Sequence, residues 1–487
     1  MNYEIVIGME VHAELLTQSK QFCGCANTAL APPNTHICPV CLGFPGSLPV
    51  LNEKSVDLTL RAALAFESKI NTECFFERKN YFYPDLPKAY QITQMALPMG
   101  EGGFIEIDVE SSTGERATRR VGMHDIHLEE DTGKSAHGDA MGDPDSSLVD
   151  FNRAGIPLLE IVSLPDMRSV EEAEAYMTAL RQLLLYLEVS DCKMEQGRLR
   201  FEASVSLRPF GQEKLGTRVE VKNLNSMRAV RDSLRAEIAR QSKVLDNGGT
   251  IQQQTMLWDD ASGTTQPMRS KEQAHDYRYF PEPDLAPLSI DDAWLGRIRE
   301  QMPELPRARK QRFQSLGLSV YDAEVLTNAR ETATYFESAL EDYGGNPKTV
   351  SNWVSSELLG RLNAEAKTCA ESPVAPGQLR ELVKLIDGGT ISGKIAKEVF
   401  DEMFASGRDA REIIQERGLT QMSDTSELEE ICARVIVANP KAVEDFRAGK
   451  EKSFGALVGG VMKETKGRAN PALVNDLLRA ALQKSDE

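Results

Sequence analysis

Apolar and polar positions alternate along Tyr3–Leu15. Ile5, Ile7, Met9 and Val11 share one face, and Glu4, Gly8, Glu10, His12 and Glu14 share the other, with Val6 the one apolar exception. The pattern predicts a strand with a core face and a polar face. Arg198–Arg208 repeats it, setting Leu199, Phe201, Ala203, Val205 and Leu207 against Arg198, Arg200, Glu202, Ser204, Ser206 and Arg208. Thr217–Lys222 does so again, with Val219 and Val221 against Arg218, Glu220 and Lys222. Two-faced strands of this kind belong to antiparallel sheets. Between them, Ser169–Val189 places Val170, Ala173, Met177, Leu180 and Leu184 at helical spacing and predicts a helix. The remainder, up to about Pro287, reads as strands, turns and Gly/Pro-rich loops.

From about Ile290 the period is 3.6 almost throughout, with helices expected near Asp291–Gln301, Arg307–Leu316, Tyr321–Leu326, Arg330–Tyr343, Thr349–Ala366, Pro376–Asp387 and Gly393–Ala405. Gly344-Gly345 and Gly388-Gly389 break the series. The expectation is an α+β protein: a catalytic domain on a mixed or antiparallel sheet over residues 1–290, an all-helical domain over 291–405, and a small helical tail over 406–487.

Composition narrows the class. The chain has 487 residues, 41% apolar and 27% charged, with net charge −18, which excludes collagen-like, low-complexity and wholly disordered readings. No apolar run approaches the ~20 residues of a membrane span, and Met1-Asn2-Tyr3-Glu4 carries no signal-type stretch, so a cytoplasmic protein is expected. Its acidity argues against uniform coating of nucleic acid and leaves a local basic groove open. Eight cysteines are too few for a disulfide scaffold, but Cys23, Cys25, Cys38 and Cys41 crowd into one short segment. That spacing suits a structural zinc ion; the plainer alternative is two buried cysteine pairs. Cys74, Cys192, Cys369 and Cys432 are isolated and read as core thiols.

Gly388–Lys394 spells the phosphate-loop pattern, but Ile395 stands where Ser or Thr would ligate magnesium, and a helical run precedes it; it is read as a helix-to-helix turn. The polar strand faces carry more. Glu10 and His12 present carboxylate and imidazole side by side, Glu129, Glu130 and Asp131 follow His127 beside a glycine turn, and Glu202 lies mid-strand beside Arg200. Oxygen-rich clusters of this kind hold Mg²⁺ with nucleotide phosphates, and arginines hold the phosphoryl oxygens. Two segments dense in aromatics and cations, Arg78–Gln91 with Lys79 and Tyr81, and Asp276–Asp284, suit either base stacking or a rigid proline-pinned loop. Near the carboxy terminus Arg447, Lys450, Lys452, Lys463, Lys466 and Arg468 outnumber Glu451 and Glu464; a solvated helix face and an RNA contact are both consistent with them.

In order along the chain, VIGMEVHAEL, RKNYFYPDLPKAYQITQ, HLEEDTGK, VDFNRAGIPLLEIVSLPD, VEVKNLNS and DYRYFPEPDL closely resemble the B-subunit family of aspartyl/glutamyl-tRNA amidotransferases, and FGALVGGVMKETKGRANPALVNDLL is similar to that family's tail. The resemblance implies a cradle-shaped catalytic domain, a helical domain, and a tail that contacts tRNA. It implies an amidase A subunit and a small C subunit as partners in a heterotrimer. It also implies ATP-dependent phosphorylation of the side-chain carboxylate of misacylated Glu-tRNA(Gln) or Asp-tRNA(Asn), followed by amidation with ammonia from the partner. By matching position, Glu10, His12, Glu129, Glu130 and Glu202 would serve Mg²⁺; Lys79, Tyr81, Arg200 and Glu202 would serve ATP, with Lys79 near the phosphates or the ammonia path; and Cys23, Cys25, Cys38 and Cys41 would form a zinc knuckle found in part of the family. Lys450, Lys452, Lys463, Lys466 and Arg468 would meet tRNA. Two positions depart from the pattern: Glu202 replaces a frequent Asp, and Met256 replaces a frequent Arg, so no phosphate role carries over to Met256. A non-catalytic, zinc-containing tRNA-binding or assembly subunit is the rival expectation.

Overall fold

A computed structural model of the chain describes residues 3–28, 31–110, 114–137, 146–268, 274–419, 425–465 and 468–484. It divides into two compact units, Met1–Leu305 and Pro306–Glu487. The protein is α+β, as the periodicities imply.

The first unit is built on a sheet whose strands lie in the spatial order Thr264–Pro267, Gln254–Asp259, Val219–Lys222, Leu199–Pro209, Tyr3–Glu14, Pro157–Ser163, Arg116–Glu130, Gly100–Glu101 and Lys69–Ile70; Phe104–Glu110 also pairs with Arg116–Glu130. Val219–Lys222 and Gln254–Asp259 run parallel while the three central strand pairs run antiparallel, so the sheet is mixed. The anticipated core face holds: Ile7, Met9, Val11, Leu199, Phe201, Ala203 and Val205 are buried. They pack in one cluster with Leu58 and Leu60 of helix Glu53–Ala65, Tyr176 and Leu180 of helix Val170–Tyr186, and Val230 and Leu234 of helix Met227–Asp246. Each Val, Leu, Ile, Phe or Met side chain among them contributes ~1.5–3 kcal/mol by leaving water. Ser169 caps the expected helix by accepting from Glu172 N.

Two features depart from the sequence reading. Helix Glu53–Ala65 falls where strands and loops were expected, because Val56, Leu58, Leu60 and Ala62 alternate with polar residues and mimic a strand. The long helix Met227–Asp246 was also unforeseen. Beside the expected glycine turn, the strand Arg116–Glu130 takes in Glu129 and Glu130, and Asp131 lies just past its end. Strand alternation therefore turns Glu129 and Glu130 to opposite faces.

In the second unit, helix Pro376–Asp387 ends before Gly388 and helix Gly393–Ser406 begins after Ser392, so the phosphate-loop lookalike is indeed a helix-to-helix turn. The helix expected over Thr349–Ala366 is interrupted by a π-helical turn, Trp353–Leu358. Phe313, Phe336 and Phe400 centre one apolar cluster, and Leu428, Leu457 and Leu478 belong to another formed by the tail helices. Among the described residues no helix is long and apolar enough to cross a membrane.

Candidate active site and four-cysteine centre

Residues directly opposite on neighbouring strands share a face. The register places Glu10 opposite Glu202, and His12 opposite both Arg200 and Glu160. Glu160 is in turn opposite His127. A polar row thus crosses four strands. Around it, His12 Nε2 lies 3.7 Å from Glu10 Oε1, 3.7 Å from Glu129 Oε1 and 3.5 Å from Glu160 Oε2. His127 Nε2 meets Glu160 Oε2 at 2.8 Å, and its Nδ1 meets Asp125 at 2.9 Å. Two overlapping sets of possible metal donors result: Glu10, His12 and Glu160, and His127, Glu129 and Glu160.

Burial, followed by the charge of Glu160, pushes Glu10 up to about 7. Burial and Glu160 likewise raise Glu129. His12 is driven up to about 9: burial opposes its charge, but Glu160 and Glu129 outweigh that. For Glu160 burial is outweighed by His127 and His12, which hold it well below the usual carboxylate range. Carboxylates that resist ionisation together are relieved by a divalent ion, and the oxygen-rich set with one imidazole fits such an ion.

The other expected residues fall nearby or elsewhere. Lys79 Nζ lies 5.0 Å from the Tyr277 ring centre and 5.9 Å from that of Tyr81. Burial opposes its charge, but Glu129, Tyr279 and Glu160 hold the ammonium above its ordinary range. Asn80 Nδ2 donates to Tyr277 O at 3.2 Å and Arg278 O at 2.9 Å, and Arg78 pairs with Phe280, which joins the two aromatic segments into one wall. Arg200 donates to Asp131 Oδ2 at 2.7 Å, and Glu202 pairs with Lys222 at 2.7 Å. Beside Glu10 and Glu202 opens a cavity of about 210 Å³ lined by Gly8, Ser163, Ser204, Ser206 and Arg218. Glu130 joins neither donor set. Lys88 pairs with its carboxylate and Ile92 N donates to it at 3.0 Å. Glu160 and Lys88 escaped the sequence reading. The one available signal was a single acid inside the apolar run Leu158-Leu159-Glu160-Ile161-Val162.

Cys23, Cys25, Cys38 and Cys41 converge, their sulfurs all within 4.8 Å of one another. A tetrahedral ZnS₄ site has edges of about 3.8 Å, so the set is compatible with structural zinc. Cys38 N donates to Cys41 Sγ at 3.1 Å, and a hydrogen bond from Cys23 pulls the Cys41 thiol down to about 5. Asn152 Oδ1 accepts from His36 N at 2.8 Å and pins the intervening loop. The remaining four cysteines are buried free thiols, as expected. In the tail, Lys450, Lys452 and Lys463 are exposed and Arg468 is half-buried, with Lys450 paired to Asp445 at 2.8 Å. Lys466 lies outside the described residues.

The family model described as the GatB/GatE catalytic domain matches residues 5–296, and that described as the GatB domain matches residues 334–482. The B subunit of the aspartyl/glutamyl-tRNA(Asn/Gln) amidotransferase of Carboxydothermus hydrogenoformans is 53% identical over 483 residues, 99% of either chain. That of Moorella thermoacetica is 54% identical over 483 residues, covering 99% of this chain and 100% of the relative. That of Geotalea uraniireducens is 52% identical over 479 residues, covering 98% and 99%. With both domain models matched and more than half of all positions shared with full-length relatives, the chain belongs to the family of aspartyl/glutamyl-tRNA(Asn/Gln) amidotransferase B subunits.

Proposed function

We propose that the protein performs the ATP-dependent step of tRNA amidation, converting misacylated Glu-tRNA(Gln), Asp-tRNA(Asn) or both to the amide. The observation that carries this reading is the gathering of Glu10, Glu129 and Glu160 around His12, with Glu10 also lining a cavity. A mere assembly subunit has no use for clustered, mutually repelling acids.

The cavity supports a nucleotide seat. Gly8 permits close backbone approach, Ser204 and Ser206 offer hydroxyls, and Glu202 lines the same space. Glu10, His12, Glu129 and Glu160 would hold Mg²⁺, which when bound offsets the charge of the triphosphate. Glu130 stands outside this set, with one of its oxygens held by both Lys88 and the Ile92 N–H. Lys79 draws the acceptor carboxylate towards the acids and orients it against Tyr81 and Tyr277. A carboxylate oxygen then attacks the γ-phosphorus, the bond to ADP breaks, and an acyl phosphate forms. Ammonia attacks the acyl carbon and the C–O bond breaks, a nitrogen proton leaving with the phosphate. Exclusion of water protects that mixed anhydride.

An amidase A subunit would supply the ammonia, with a small C subunit completing a cytoplasmic heterotrimer. Lys450, Lys452, Lys463, Lys466 and Arg468 would contact tRNA phosphates. The test is the purified complex with glutamine, ATP and each misacylated tRNA. One ADP per amide, formed only when charged tRNA is present, supports the proposal. ADP formation independent of charged tRNA contradicts it.

A further inference from the structure

Lys20 is the only lysine among the described residues that is wholly buried, at 0% exposure. A buried ammonium without an opposite charge is costly. Its Nζ donates to Phe151 O at 3.2 Å, and among the described residues no carboxylate pairs with it. Its main-chain N–H donates to Cys25 O at 2.9 Å, closing the loop that carries Cys23 and Cys25. The stem runs to the other half of the four-cysteine centre. A side-chain carbon placed on Gly155 would meet Cys41 Cβ at 3.5 Å and Lys20 Cδ at 3.6 Å. Glu130 Oε2 meets the same point at 3.7 Å, while the other oxygen of that carboxylate, Oε1, is held by Lys88 and Ile92 N.

A zinc ion held by four thiolates carries two net negative charges, which have to be balanced inside the protein. We propose that Lys20 is a positioning residue of the four-cysteine centre, its buried ammonium serving as counter-charge to the metal–thiolate cluster beside Cys41. This explains why a lysine is tolerated at a sealed position with one backbone acceptor. It also gives the charge a weight that depends on the metal: Lys20 faces two net negative charges in the loaded centre and fewer in the empty one.

The test uses the full chain carrying Lys20→Met, which keeps the stem and removes the charge, and Lys20→Gln, which also keeps a donor for Phe151 O. Zinc affinity is measured by competition with a chelator, and unfolding midpoints are measured with and without zinc. Both variants should hold zinc about 10- to 100-fold more weakly. The zinc-loaded midpoint should fall by clearly more than the metal-free midpoint. In a Cys41→Ser background the effect of Lys20→Met on zinc affinity should shrink several-fold. Unchanged zinc affinity, or an equal fall in both midpoints, would make Lys20 a packing residue and overturn the proposal. If Lys20→Met does not accumulate, Lys20→Gln decides alone: wild-type zinc affinity in that variant also overturns it.

Discussion

His12 and Glu160 face each other across adjacent antiparallel strands, with Nε2 and Oε2 3.5 Å apart. The same Glu160 carboxylate receives His127 at 2.8 Å, so it is the shared member of both donor sets. Glu160→Gln keeps the shape and removes the charge that both imidazoles rely on. The expected outcome is a loss of tRNA-dependent ATP cleavage of about 100-fold or more, on the order of 3 kcal/mol in the transition state. Far-ultraviolet circular dichroism of the variant should match the wild type.

Glu14 gives a pH signature separate from the metal donors. Burial, with repulsion from Asp131, pushes its carboxyl up to about 7 from 4.5. A raised carboxyl leaves the native state unpenalised below pH 4.5 and penalises it increasingly as pH rises through about 7. Glu14→Gln should therefore be more stable than wild type at pH 8, by on the order of 1–3 kcal/mol. The difference should vanish near pH 4. Denaturant titrations at the two pH values measure it, and an equal effect at both would contradict the assignment.

Gly43 ties the cysteine loop to Lys88. Its φ is +66°, and an added Cβ would stand 2.5 Å from Lys88 Cγ and 3.1 Å from Lys88 Cα. Gly43→Ala should cost about 1–2 kcal/mol for the left-handed backbone alone. It should also force Lys88 off Glu130. The check is thermal unfolding together with the crystal structure of the variant, in which the Lys88–Glu130 ion pair should be broken.

Much of this site could be read from the amino-acid order, and the misses have physical causes. Glu10, His12 and Glu202 were legible because their strands alternate cleanly, and a face follows directly from parity. Glu160 was not, since its strand is apolar on both sides of it and gives no polar face to read. The opposite facing of Glu129 and Glu130 was not legible, because nothing local says that a strand runs on through the first two of three consecutive acids. The joining of Tyr81 to Tyr277 depends on hydrogen bonds between residues almost two hundred positions apart, which no window can anticipate.

In the tail, charge removal should act on binding more than on turnover. Replacing Lys450, Lys452 and Lys463 with Ala should raise KM for tRNA several-fold with little change in kcat, and should flatten the dependence of affinity on salt. An unaltered salt slope would show that these lysines only solvate their helices.

The central claim is that Glu10, His12, Glu129 and Glu160 gather one divalent cation while Glu130 does not. Titration of Mn²⁺ into the protein, followed by electron paramagnetic resonance, tests it on Glu129→Gln and Glu130→Gln side by side. Glu129→Gln should weaken Mn²⁺ binding by about 10-fold or more, and Glu130→Gln should bind as the wild type does. Loss of binding in Glu130→Gln with retention in Glu129→Gln would contradict the claim.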